Sequence, residues 1–365
     1  MNQRILGRGL DLPARNDSDY LDHISHAKPG IRPFPSKLYV ITPVFNPMRY
    51  RVRYELYRQF AKHVEESGAI LITVELAYRD RPFEVTEANN PYHVQLRTDH
   101  LLWYKEPMIN IGLRHLPSDW EYVAWIDADT KFMREDWAQE TIQLLQHYQV
   151  IQMWSQIQDL TPNFEMFDNR GGYLYSYMYN YHNNRLMDAK SPGYGPEGVV
   201  TDQKPQQIST KQSRWYGPPG LAWAARREAI DHLGGVIDWG IVGSGDSYMA
   251  SALVGELEGQ LHKEFHPDYL NEFRIWQDRA ERFIRRNVGY MPGVCLHYYH
   301  GKKVNRKYVP RNQILIKHQF NPRTDLKRDW QGLWQLCDHG DRRSIDLRDD
   351  LTRYFSERDE DCTSL

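Results

Sequence analysis

The alternation of apolar and polar positions gives this chain a regular first half and an irregular second half. Leu38 to Phe45 is an apolar run stopped by Asn46-Pro47, which predicts a buried parallel strand ending in a loop. From Arg49 to Ser67 apolar and aromatic residues recur at helical spacing, and Gly68 closes the helix. Ala69 to Ala77 reads as a second strand with Glu75 near its end, so this stretch is a βαβ unit, expected to be right-handed. A helix is expected from His100 to His115, ended by Pro117 and Ser118. A third apolar run, Tyr122 to Ile126, breaks off at Asp127-Ala128-Asp129, and a helix over Glu135 to Tyr148 and a strand over Val150 to Trp154 follow.

Residues 160–215 are rich in Asn, Gly, Tyr, Pro and Gln and read as an insertion. Helical patterns return at Ala224 to His232 and Ser247 to Leu257. The acidic tail beginning at Glu357 is expected to fray. Strands feeding helices predict an α/β fold, whose ligands bind beyond the carboxyl ends of the strands. Thr42, Glu75, Asp127 and Asp129 all fall near such ends, so one crevice is expected to hold them.

Composition narrows the class. A chain of 365 residues with 41% hydrophobic content suffices for one large α/β domain, or a domain plus a smaller lobe. A formal charge of -2 argues against a bulk electrostatic grip on nucleic acid or membrane. The three cysteines, Cys295, Cys337 and Cys362, are too scattered for a disulfide framework or a thiolate zinc site, and a cytoplasmic setting is expected. No stretch approaches the roughly 18 apolar residues of a membrane span, and the N-terminus lacks the apolar core of a signal peptide, so no membrane partner is expected. Aromatics reach 13%; a minority are expected to stack on a ligand ring, the rest to pack.

Four constellations carry candidate chemistry. Asp127 and Asp129 follow an apolar strand. A Mn²⁺ or Mg²⁺ held by such carboxylates neutralises a diphosphate, and with Ala128 between them one can take the metal and the other a ribose. His297 and His300 lie beside Gly301 and the basic residues Lys302, Lys303 and Arg306, which suit metal and phosphate respectively. Asp246, in Gly243-Ser244-Gly245-Asp246-Ser247, fits a general base on an acceptor hydroxyl and fits a plain helix cap equally well. Tyr173, Tyr175, Tyr177, Tyr179 and Tyr181 share one face if extended and scatter if helical; ordinary packing is favoured.

Together these segments resemble the GT-A glycosyltransferases, specifically the family-2-like group, over roughly residues 37–310. The resemblance rests on ITPVFNP, KEPMINIGLRHLP, AWIDADTKF, the run from Pro218 to Ser247 and HYYHGKK. It implies a Rossmann-like mixed sheet flanked by helices and a nucleotide-sugar donor, a UDP-sugar by preference. It also implies donor contacts from Thr42, Pro43, Glu75, Lys105, Asn110 and Asp127, with Lys302, Lys303 and Arg306 on the phosphates. Asp129 takes the metal, with His300 preferred over His297 as a further ligand, and Asp246 is the base of an inverting displacement. The family's usual Glu-Asp is Gly245-Asp246 here, and the Gln-X-X-Arg-Trp signature of processive polymerases is absent.

On this reading the chain divides into an irregular lead-in (1–36), a nucleotide-sugar-binding half (37–155), an acceptor and catalytic half (156–310) and a C-terminal extension (311–365). The style of WIDADTKF and HGKKVNRKYVPR is similar to soluble bacteriophage and bacterial glycosyltransferases. That similarity implies hydroxymethylated pyrimidines in DNA as acceptor, gripped by Arg282, Arg285, Arg286, Lys302, Lys303, Arg306, Lys307 and Arg311. A polysaccharide, lipid-linked sugar or protein hydroxyl is the alternative acceptor. A noncatalytic binding module and a nucleotidyltransferase are the rival classes, and ITPVFNP lacks the Gly-rich phosphate loop of the latter.

Overall fold

A computed structural model describes residues 36–182, 216–308 and 310–363. The expected lead-in, apart from its last residue, and most of the expected insertion lie outside these residues. The first strands are β1 (Leu38–Phe45), β2 (Ile70–Tyr78), β3 (His93–Thr98) and β4 (Tyr122–Ile126). The short β5 (Thr130–Phe132) and β6 (Val150–Gln152) follow, then β7 (Gln156–Leu160), β8 (Met166–Gly171), β9 (Ala222–Arg226), β10 (Val288–Tyr290) and β11 (Val294–His297). Seven of them form a mixed sheet in the order β10-β6-β9-β4-β1-β2-β3, and β5-β11-β7-β8 form a second sheet. β1 runs parallel to β2 and β4, whereas β9 is antiparallel to both its neighbours.

Strand periodicity builds the two cores. Leu38 and Val40 of β1 join Tyr122, Ala124 and Ile126 of β4 in one cluster, where the helix Arg51–Glu66 adds Phe60 and Val64. The intervening Tyr39, Ile41, Val123 and Trp125 join the opposite cluster, with Met108, Ile109 and Ile111 of the helix Lys105–Arg114. Because helices cover both faces, β1 and β4 are apolar throughout instead of alternating. The expected mixed sheet flanked by helices is therefore the architecture of the chain.

Several expected elements differ. The helix read from His100 begins only at Lys105, and β3 had not been anticipated. Ala224 to Arg226 are not helical: they belong to β9, inserted between β4 and β6, and the helix starts at Arg227. Alanine's helical preference is a weak prior, and sheet pairing on both sides overrides it. β9 and β10 come from the expected second half yet sit in the same sheet as the first, so the sheet spans the expected boundary at 155/156.

The described part of the tail, residues 357–363, packs back on the fold. After the helix Arg342–Ser356, Asp361 accepts the Arg51 and Val52 N–H groups, both at 2.9 Å, and so caps the Arg51–Glu66 helix. The Asp359 N–H donates to the Tyr50 hydroxyl at 2.9 Å. Fraying is expected from charge alone; here Glu357 meets Lys307, Glu360 meets Arg53 and Arg358, and Asp361 meets the helix N-terminus.

Candidate metal and donor site

The turn after β4 is pinned from both sheets. Thr42 Oγ1 donates to the Ile126 carbonyl at 2.9 Å, the Asp127 N–H donates to the Leu221 carbonyl at 2.7 Å, and the Tyr298 N–H donates to the Asp129 carbonyl at 2.8 Å. The two carboxylates then part. Asp127 faces Lys105, whose Nζ lies 2.7 Å from its carboxylate oxygens. Asp129 is buried against the histidines: its Oδ2 is 2.9 Å from His300 Nε2 and its Oδ1 is 4.0 Å from His297 Nε2, with Arg53 Nη1 3.6 Å from Oδ2.

Strand register places His297. In the parallel pair β7–β11 it stands opposite Asp159, and in the antiparallel pair β5–β11 it stands opposite Thr130, next to Asp129. His300 follows three residues on, and both rings are buried. One ligand atom from each of Asp129, His297 and His300 lies within 4.8 Å of the others.

The electrostatics agree with that grouping. Burial alone would raise the Asp129 carboxyl, but His300, His297 and Arg53 outweigh it and hold it well below the usual carboxylate range. Burial, with Arg306 and Arg53 beside it, pushes His300 down to about 4 against the pull of Asp129, so its ring is neutral at pH 7. Burial raises Asp127, opposed by Lys105 and reinforced by Asp129. Lys105 loses ground to burial but is raised overall by Asp127, Asp246 and Glu106. Glu106 is pushed up to about 8 by burial, opposed by Lys105 and reinforced by Asp246.

These residues fit a divalent cation. Asp129 Oδ1 is buried without a hydrogen-bond partner, and its 4.0 Å gap to His297 Nε2 is too long for a hydrogen bond. A divalent ion shared by Asp129 and His297 would fill such a gap. The donor set is one carboxylate and two imidazoles, and both candidate histidines converge on Asp129.

Asp246 is the second residue of the helix Gly245–Leu253. Its Oδ1 accepts the Ser247 N–H at 2.8 Å, and a Cβ on Gly220 would stand 2.7 Å from its Oδ2. It shares the electrostatic neighbourhood of Lys105 and Asp127.

Other expected contacts lie elsewhere or are already engaged. Thr42 and Glu75 sit inside their strands, not at the last residues. Thr42 is spent on Ile126, and half-buried Pro43 lies within β1. Glu75 is buried and accepts the Glu84 and Val85 N–H groups at 2.7 and 3.1 Å and the Thr86 hydroxyl at 2.6 Å, so it organises a loop. Asn110 uses its amide on Val236 and Asp238, fixing the Gly234-Gly235 turn to the Lys105 helix. Lys303 is held by Asp159 at 2.7 Å, Arg306 lies 2.8 Å from His300 Nε2, and half-buried Lys302 opens the short helical turn Lys303–Arg306.

The single basic face drawn from sequence does not form as expected, because Arg306 and Arg311 are buried, the latter on Ser244 and Tyr354. Tyr173–His182 is a helix that buries Tyr173 and Tyr177, as packing predicted; the Tyr181 side chain lies outside the described residues. Sequence reasoning missed Arg53, Glu106, Asp159 and Glu360. Only Glu106, a carboxylate inside the helix expected from His100 to His115, had a local cue.

No protein-family model matches the sequence, and no curated protein does. Among solved structures, the chain is similar to Drosophila β1,4-galactosyltransferase 7 in complex with manganese, UDP-Gal and xylobiose. The identity is 11% and the TM-score 0.29, covering 62% of this chain and 63% of that one. S. aureus TarS 1–349 gives 13%, 0.31, 59% and 54%. The 4-diphosphocytidyl-2C-methyl-D-erythritol synthase of Anaerococcus prevotii gives 10%, 0.31, 87% and 97%. The chain thus spans less than two thirds of the length of the first two. At this level of similarity the chain's own residues carry the functional reading.

Proposed function

We propose that this chain is a metal-dependent glycosyltransferase that moves a sugar from a nucleotide-sugar donor to an acceptor hydroxyl. The observation that carries the reading is the buried Asp129, His297 and His300 cluster, one residue from the lysine-held Asp127. A divalent cation bound there supplies neutralising charge for a departing diphosphate. Two imidazoles beside one carboxylate favour Mn²⁺ over Mg²⁺, which prefers oxygen ligands. Asp127 keeps unused lone pairs beside Lys105 and suits a ribose hydroxyl, with a UDP-sugar as first donor to test. Asp246 Oδ2 accepts no hydrogen bond among the described residues and, as base, takes the acceptor proton for an inverting attack.

The acceptor on this proposal is a hydroxymethylated pyrimidine in bacteriophage DNA, in the host cytoplasm. Resemblance in sequence supports it, and a polysaccharide, lipid-linked sugar or protein hydroxyl is the alternative. The test is a panel of nucleotide-sugars with Mn²⁺, offered hydroxymethylated DNA, unmodified DNA and simple glycans and scored by mass spectrometry. Transfer to glycans alone ends the DNA reading. Failure to release nucleoside diphosphate from any donor ends the glycosyltransferase reading, and pyrophosphate release from a nucleoside triphosphate favours a nucleotidyltransferase.

A further inference from the structure

Each histidine of the cluster has a second carboxylate behind it, and neither belongs to the Asp127-Asp129 motif. His297 Nδ1 lies 2.6 Å from Asp159 Oδ1, and its Nε2 turns toward Asp129. His300 repeats the arrangement: Nε2 faces Asp129, while Nδ1, buried and without a hydrogen bond, has Glu360 Oε2 at 3.8 Å.

The tautomer of His300 follows from its other neighbour. Arg306 Nη2 lies 2.8 Å from Nε2, and a guanidinium has donors only, so Nε2 there is the bare nitrogen. A neutral ring then carries its proton on Nδ1, on the side of Glu360. Nε2 and Asp129 Oδ2, 2.9 Å apart, are both acceptors in that state, an arrangement that a cation relieves.

Both carboxylates are themselves held. Asp159 is fixed by β-sheet register and paired with Arg170 and with Lys303 at 2.7 Å. Glu360 is buried between Arg53 and Arg358, the latter at 2.7 Å. The tail reaches it because residue 301 is glycine: φ is +87° there, and a Cβ would stand 2.8 Å from both the Asp359 carbonyl oxygen and the Glu360 Cα.

We propose that Asp159 and Glu360 are the positioning residues of the metal centre: Asp159 holds His297 by Nδ1, and Glu360 stands behind Nδ1 of His300, so that each Nε2 is presented to the ion. The acidic C-terminal tail is then a working part of that centre. The inference rests on the metal-dependent reading above. Carboxylates behind metal-bound histidines fix ring and tautomer and raise ligand basicity.

The test is Mn²⁺ binding by the full-length protein, measured by titration calorimetry together with the ¹⁴N couplings that pulsed EPR reads from bound imidazole. Wild type is expected to show two imidazole couplings. Asp159→Asn and Glu360→Gln are each expected to weaken Mn²⁺ binding by about 10–100-fold and to lose or shift one coupling. Glu360→Asp restores part of the loss. Asp168→Asn removes an Arg170 partner without touching either histidine and keeps wild-type affinity; a loss there equal to that of Asp159→Asn overturns the role of Asp159. Wild-type affinity with both couplings in Asp159→Asn and Glu360→Gln overturns the inference alone. A wild-type protein that takes up no Mn²⁺ overturns the metal reading and the inference with it.

Discussion

Asp127 and Asp129 are separated by a single residue, yet they face opposite surroundings. Asp127 meets a lysine from a helix on the main sheet, in the same field as Glu106 and Asp246. Asp129 meets two histidines delivered by and just beyond the second sheet. The carboxylates are chemically identical, so the neighbours assign the roles. The turn from β4 to β5 joins the two sheets, so two carboxylates one residue apart reach different neighbours.

The sharpest way to break this comparison is to remove the metal side and the base separately. Asp129→Asn is expected to lose Mn²⁺ binding and to cut transfer by about 10⁴-fold, several kcal/mol of lost charge stabilisation. Asp246→Asn is expected to cut transfer by roughly 10³-fold while leaving Mn²⁺ affinity unchanged by calorimetry. Equal losses of metal by both variants would erase the division.

A smaller effect is expected on the donor side. Lys105→Met leaves Asp127 without its cation and should lower stability in urea by on the order of 2–4 kcal/mol. The double variant Lys105→Met, Asp127→Asn should recover most of that. No recovery would mean that Lys105 stabilises through other contacts.

The smallest effect concerns Glu106. Its folded-state value of about 8 lies above the ordinary 4.5, so between those pH values the folded chain holds a proton that the unfolded chain has released. Stability therefore falls as pH rises through that window. Glu106→Gln removes the slope and should be more stable than wild type at pH 8 by about 1–2 kcal/mol, with little difference near pH 4. Parallel urea melts at the two pH values check it; an unchanged slope places the proton elsewhere.

What could be read from the sequence divides along physical lines. β1 and β4 announce themselves because helices bury both their faces, which leaves continuous apolar runs that stop at polar turns. β3 carries a weaker alternation, with Val94, Leu96 and Thr98 inward, on the outermost strand of the sheet. β9 was hidden by its alanines, whose local preference is helical and whose strand state exists only through pairing with β4 and β6. A single histidine ligand beside Asp129, His300 in preference to His297, was legible as a resemblance; that both rings lie against Asp129 was not. The partnership of His297 with Asp159 was not, because it lives in the register of β7 and β11. The tail misled for a related reason: a run of acidic residues looks solvated until Arg53 and Arg358 are found beside it.

The position of β9 also bears on how the chain reaches its native state. β4 and β6 are made before β9, and in the native sheet neither pairs with the other; each pairs with Ala222 to Arg226. Until those residues emerge, the nascent sheet has an open, apolar edge along β4, the kind of edge that invites pairing with other chains. Such late, non-local closure slows folding and prolongs exposure to aggregation. Shortening the chain before residue 222 would make that exposure permanent.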